Sequence, residues 1–199
     1  MILYNHCRIW FLLLLFCSHF VSGQNPVNAI EGKQETRGIQ LAVFDIDATP
    51  PVGSMLAYDT MENNWDLGLR AKGLVLLGAG APIVLCAIDW IGIANESQDA
   101  FKEALAEAAN TVPGRVAVHT LHQHDAPICD FGAEKILQEA GLNPGRFEGD
   151  FGRQFIQKLK GAVKTSLVRL QPVTHIGVGE AAVRKVASNR RLLNMEWWE

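Results

Sequence analysis

Leu69-Arg70-Ala71-Lys72-Gly73-Leu74-Val75-Leu76-Leu77-Gly78, followed after Ala79-Gly80-Ala81 by Pro82-Ile83-Val84-Leu85-Cys86-Ala87-Ile88-Asp89-Trp90, decides the fold. Two apolar runs of strand length, separated by a short glycine-containing link, predict a β-hairpin. The runs are apolar at almost every position rather than at alternate ones, which predicts a sheet covered on both faces. Upstream, residues 38–46 form another branched, apolar run, ended by Ala48-Thr49-Pro50-Pro51-Val52-Gly53, and read as a strand followed by a turn. Downstream, Phe101, Ala104, Leu105 and Ala108 recur at i, i+3, i+4 and i+7 and predict a helix. Asn95 and Gln98 are placed like a capping box at its start, and Pro113-Gly114 is the expected stop. Residues 115–121 then read as a strand and 132–140 as a short helix. A longer helix is expected near 150–168, with Phe155, Ile156, Leu159 and Val163 on one face, and a last strand at 173–182. Without an internal repeat or a long linker, the fold class expected is α/β, with mixed β-sheet flanked by helices in one domain.

The chain has 199 residues, 48% of them apolar, so a packed core is expected rather than disorder. Its formal charge is −3, and Lys and Arg never form a run of five, which argues against nucleic acid as a partner and against a polybasic membrane patch. Markers of serine hydrolases, NTPases and dinucleotide-binding proteins are missing: there is no Gly-x-Ser-x-Gly, no P-loop and no Gly-x-Gly-x-x-Gly.

The first segment reads as an address. Arg8 precedes the apolar stretch of residues 9–17, which is far short of the ~20 residues of a membrane-spanning helix. Small residues at Ser22 and Gly23 suit cleavage ahead of Gln24. Residues 1–23 are therefore expected to be a signal peptide and 24–37 a polar leader, with an uncleaved N-terminal anchor as the alternative. The mature chain is expected to be secreted or periplasmic, without a transmembrane helix. It keeps Cys86 and Cys129, for which a disulfide and two buried thiols are both open.

The chemistry concentrates in His119-Thr120-Leu121-His122-Gln123-His124-Asp125-Ala126-Pro127, which holds half of the histidines. In an extended chain His122 and His124 lie on one side, where two imidazoles with a nearby carboxylate (Asp125, Asp130 or a more distant one) supply part of a zinc shell. A polar loop with histidines bonded to the backbone is the competing reading. His119 points the other way and is read as structural; His175 is read as a core or surface histidine. Asp45, Asp47 and Asp89 stand at strand ends, where they can orient a metal-bound histidine or cap a turn. Asn189-Arg190-Arg191 can position a carbonyl or an anion, or be a solvated turn. Asn95-Glu96-Ser97 fits both an N-glycosylation acceptor and a helix start.

The order of these segments resembles a known family. Residues 38–40, Asp47-Ala48-Thr49-Pro50-Pro51-Val52-Gly53, residues 69–76, residues 83–93, Leu121-His122-Gln123-His124-Asp125-Ala126-Pro127 and Ser188-Asn189-Arg190-Arg191 are together similar to the N-terminal domain of neutral/alkaline non-lysosomal ceramidases. The resemblance implies a ceramidase-like N-terminal domain over residues 38–199, incomplete in this chain. It implies a zinc-dependent amidohydrolase that cleaves the N-acyl amide of ceramide to sphingosine and a fatty acid. Its partner would be a ceramide-like lipid, with peripheral membrane contact. By position, His122 would be a zinc ligand, His124 a neighbour orienting substrate or bound water, and Arg190 an active-site arginine. The family loop is usually Thr-His-Thr-His-Ser-Gly-Pro; Leu121, Gln123, Asp125 and Ala126 depart from it. The family's further ligands (a second His, a Glu and a Tyr) and its catalytic Ser lie on a longer chain, so this chain alone is expected to bind zinc weakly and to be inactive. Two alternatives stand beside this reading: a non-catalytic secreted domain that binds lipid or a protein partner, and a metal hydrolase of another amide or ester.

Overall fold

A computed structural model describes residues 38–63 and 66–184; the expected signal peptide, the polar leader and Arg190 lie outside the described residues. In chain order the elements are β1 (Gln40–Asp47), β2 (Arg70–Gly78), β3 (Gly80–Ile88), β4 (Gly92–Ile93), α1 (Asn95–Ala109), β5 (Val116–Thr120), β6 (Ile128–Cys129), α2 (Phe131–Glu139), α3 (Asp150–Ser166) and β7 (Gln171–Pro172). The main sheet is mixed, in the order β5-β3-β2-β1-β7. Antiparallel pairing joins β1, β2 and β3, whereas β5 lies parallel to β3 because α1 carries the chain back to the same end. The two-residue strands β4 and β6 form a small parallel ladder beside it. The fold is therefore α/β with helices against a mixed sheet.

The core lies between one face of the sheet and helices α1 and α3. Ala42, Phe44, Val75, Val84, Cys86 and Ile88 alternate along the strands onto that face and meet Phe101 and Leu105 of α1 and Phe155, Leu159 and Val163 of α3. Gly73 sits opposite Phe44 in the β1–β2 register, and a Cβ there would collide with the Phe44 ring and the Leu85 carbonyl. The missing side chain leaves room for the Phe44 ring over β2. Trp90 is fully buried against Phe101, Phe151 and Phe155, and its Nε1 donates to the Ala48 carbonyl at 3.0 Å. One side chain thus ties the turn after β1 to the segment after β3.

Four expectations are corrected. The sheet is not covered on both faces among the described residues: Leu41, Leu74 and Leu76 are only half-buried, and Val43, Ile83 and Leu85 are exposed. An unbroken apolar run cannot say whether a second layer is present. The capping box does not form, because Asn95 has a left-handed φ of 48° and gives its Nδ2 to Asp130, while Gln98 Nε2 donates to the Val118 carbonyl. Helix α1 ends at Ala109, with Asn110 as its left-handed cap (φ 53°), before Pro113 is reached. Finally, 173–182 is not a strand: pairing with β1 covers only Gln171 and Pro172, plus a bond from Val173 N to Ile39 O. Strand β1 begins at Gln40, so no ladder partner remains for the residues beyond.

Candidate functional site

The segment from Thr120 to Pro127 wraps around the residues that follow β3. Ile91 N donates to the Pro127 carbonyl at 3.1 Å, Ala57 N to the Ala126 carbonyl at 3.0 Å, and Thr120 Oγ1 to the Ile91 carbonyl at 3.4 Å. With Trp90 anchored in the core, Ile91 becomes a fixed acceptor. His122 Nδ1 lies 3.1 Å from the Ile91 oxygen. A carbonyl can only accept, so this bond places a proton on Nδ1 and leaves Nε2 without a hydrogen-bond partner among the described residues. Metal-bound histidines are held by the same kind of bond on the other nitrogen.

His122 is not extended. Its φ is 59°, one of three positive values among the described non-glycine residues. That conformation costs roughly 1–2 kcal/mol for an L side chain, so the surrounding bonds hold it in place. The expectation that His122 and His124 share a side therefore holds through a turn and not through strand alternation: their ring centroids are 5.1 Å apart. Two imidazoles bound tetrahedrally to one zinc by ~2.0–2.1 Å bonds have centres roughly 5 Å apart, a separation that this pair matches. Tyr58, which no sequence pattern singled out, completes the cluster with its ring 5.4 Å from that of His124. Both histidines are solvent-exposed.

Asp125 is exposed, and the other candidate carboxylates have partners of their own. Asp45 pairs with Arg70 and Lys72, and the Arg70 hydrogen bonds hold its carboxyl below the usual range. Asp47 accepts from Thr49 N at 3.1 Å in the turn, which lowers its pKa. Asp89 accepts from Arg70 N at 2.8 Å, and both Asp130 oxygens are engaged, by Ala133 N and by Asn95 Nδ2. His119 stands exposed on the open sheet face rather than in a structural role, and exposed His175 bonds Thr174 Oγ1. Among the described residues no group of three or more His, Cys, Asp or Glu side chains gathers. Cys86 and Cys129 are free, buried thiols, their pKa pushed up to about 12 and about 11 by burial. For the acceptor pattern at Asn95, Ser97 is buried and its Oγ accepts from Phe131 N.

A cavity of about 420 Å³ opens beside the loop, between Ser54, Met55, Trp90, Pro127, Arg146 and Phe151; neither histidine lines it. No described helix is long and apolar enough to cross a membrane. No family model matches the chain, and none of the curated proteins does. Among solved structures, the chain is similar to neutral ceramidase from Pseudomonas aeruginosa, with a TM-score of 0.47 and 19% identity over 68% of this chain and 22% of that one. A ceramidase complexed with C2 gives the same values. The chain thus spans about a fifth of the length of the solved chains that it resembles.

Proposed function

We propose that this chain supplies the first part of the metal site of a secreted, zinc-dependent amidohydrolase that cleaves the N-acyl amide of ceramide to sphingosine and a fatty acid. The observation that carries this reading is His122: a strained backbone, a proton held on Nδ1 by the Ile91 carbonyl, and a free Nε2 beside a second imidazole. The ordered motifs quoted above supply the substrate class. His122 would hold the metal, His124 would orient the substrate or the bound water, and Arg190 would position the carbonyl. Zinc, when bound, lowers the pKa of its water to ~7 and polarises the amide carbonyl.

A catalytic zinc needs three protein ligands besides water, and the candidate pair among the described residues is two neighbouring imidazoles. This chain alone is therefore read as inactive, with the remaining ligands supplied from elsewhere. The substrate resides in a bilayer, so the complete enzyme would make peripheral membrane contact. Secretion predicts a mature N-terminus at Gln24 when the gene is expressed in a host with a signal peptidase.

The test is zinc competition against a chromophoric chelator, with the purified chain. We expect one weakly bound zinc per chain and at least a tenfold loss on His122→Ala. Equal affinity in the variant and the parent would overturn the metal reading and leave a non-catalytic secreted domain. If zinc binds but a reconstituted, complete site releases fatty acid from other acyl-amides or esters and not from ceramide, the altered loop around Gln123 and Asp125 has changed the substrate.

A further inference from the structure

The open face of the sheet carries a second candidate site, independent of the histidines. Residues on this face lie in cross-strand rows: Leu41, Leu76 and Ile83 form one, and Val43, Leu74 and Leu85 the next. The following row, Asp45, Lys72 and Ala87, is polar, so the apolar half of the face lies at the end of the strands opposite to His122. After β7, half-buried Val173 and exposed Ile176 form a strap that, with Leu41, Leu74, Leu76 and Ile83, lines an open groove of about 540 Å³. That volume suits a small-molecule ligand, and a floor three strands wide gives a row roughly 10 Å long.

Arg115 is the sole charged residue of this lining among the described residues. Its Nε donates to the carbonyls of Ala81 at 2.9 Å and Pro82 at 3.3 Å, which fixes the guanidinium at the groove. Its two terminal nitrogens have no partner among the described residues, and a planar pair of N–H donors matches a carboxylate in a bidentate way. A ligand complementary to the groove is thus a single apolar chain with one carboxylate. We infer that the groove binds a medium-length fatty acid, its chain along Leu41, Leu76 and Ile83 and its carboxylate on Arg115.

The experiment uses the full chain and displacement of an environment-sensitive dye by dodecanoate, with 1-dodecanol as the uncharged probe of the same chain and zwitterionic phosphatidylcholine vesicles as a lipid surface. Saturable binding of dodecanoate is expected, at least tenfold weaker for dodecanol. Arg115→Met should weaken dodecanoate about tenfold and leave dodecanol unchanged. Because Arg115→Met also removes two backbone bonds, Ile176→Asp on the exposed strap serves as a second variant and should abolish binding without affecting the thermal melt. Val43→Asp, on the same face but outside the groove, should bind as the parent does. Equal affinity for acid and alcohol, binding insensitive to both groove variants, or partition to vesicles alone would each overturn the proposal. So would a chain that is dimeric in solution and takes up no dodecanoate, a second copy then covering the face. Zinc affinity is read separately, so failure here leaves the histidine site untouched.

Discussion

At the scale of single residues, His122 holds a backbone conformation that its side chain disfavours. A left-handed backbone suits glycine, so His122→Gly should be about 1 kcal/mol more stable than His122→Ala, both having lost the bond to Ile91. Paired denaturant melts of the two variants measure this, and equal midpoints would show that the turn relaxes at no cost. The His-x-His spacing is legible in sequence, but the acceptor of its Nδ1 proton is a main-chain carbonyl and leaves no mark in the side-chain pattern. Gly73 behaves in the opposite sense. Gly73→Ala would drive a methyl into Phe44 and the Leu85 carbonyl and should cost about 2–3 kcal/mol, visible as a lowered thermal midpoint. Cys86 and Cys129 should escape iodoacetamide in the native protein and react on unfolding, as resolved by peptide mass spectrometry.

Between elements, the joint of α2 and α3 depends on one buried acid. Glu134 is 4% exposed and accepts from Arg153 Nη1 at 2.7 Å, from Arg153 Nη2 at 3.0 Å and from Gly149 N at 2.9 Å. Arg153 also reaches Asp150 at 2.7 Å and lies 5.1 Å from the centre of the Phe131 ring. The Arg153 hydrogen bonds, and then the Gly149 amide, lower the Glu134 pKa against the opposing effect of burial. A carboxyl lowered in the folded state contributes stability above its unfolded value of ~4.3, and that contribution is lost as pH falls through the folded value. Glu134→Gln should therefore cost about 1–3 kcal/mol at pH 7 and flatten the acid limb of stability against pH. Urea melts at pH 7 and pH 3 check this; the same penalty at both would assign the loss to packing. The sequence places Glu134 and Arg153 on two expected helices, but nothing local pairs residues 19 apart.

For the whole molecule, charge and layering set the expected behaviour. Asp45, Asp47, Glu107 and Asp150 are also lowered, by Arg70, Thr49, Lys160 and Arg153 respectively, so acid weakens several contacts together. Most of these are exposed pairs whose individual worth is small and screened by salt. The two candidate sites stand at opposite ends of the strands and share no residue. Their variants should act independently: His122→Ala leaves dodecanoate displacement unchanged, and Arg115→Met leaves zinc affinity unchanged. Coupling between them in either titration would mean that the sheet transmits strain from one end of its strands to the other.

Local patterning by itself determined β1, β2, β3 and β5 and the three helices, because each is signalled by neighbours in the chain: branched apolar runs for the strands, and Phe101 with Leu105 or Phe155 with Leu159 for the helical faces. It also marked His122 and His124 as a pair. Tertiary structure alone decided which face of the sheet stays open, since Leu74 and Leu76 are as apolar as Val75 and only packing against α1 and α3 separates them. It likewise decided that β7 stops at Pro172, that Asn95 bonds Asp130 instead of capping α1, and that Tyr58 joins the histidines. Each of these depends on a contact between residues far apart in the chain, where the energy of pairing overrides what the adjacent residues prefer.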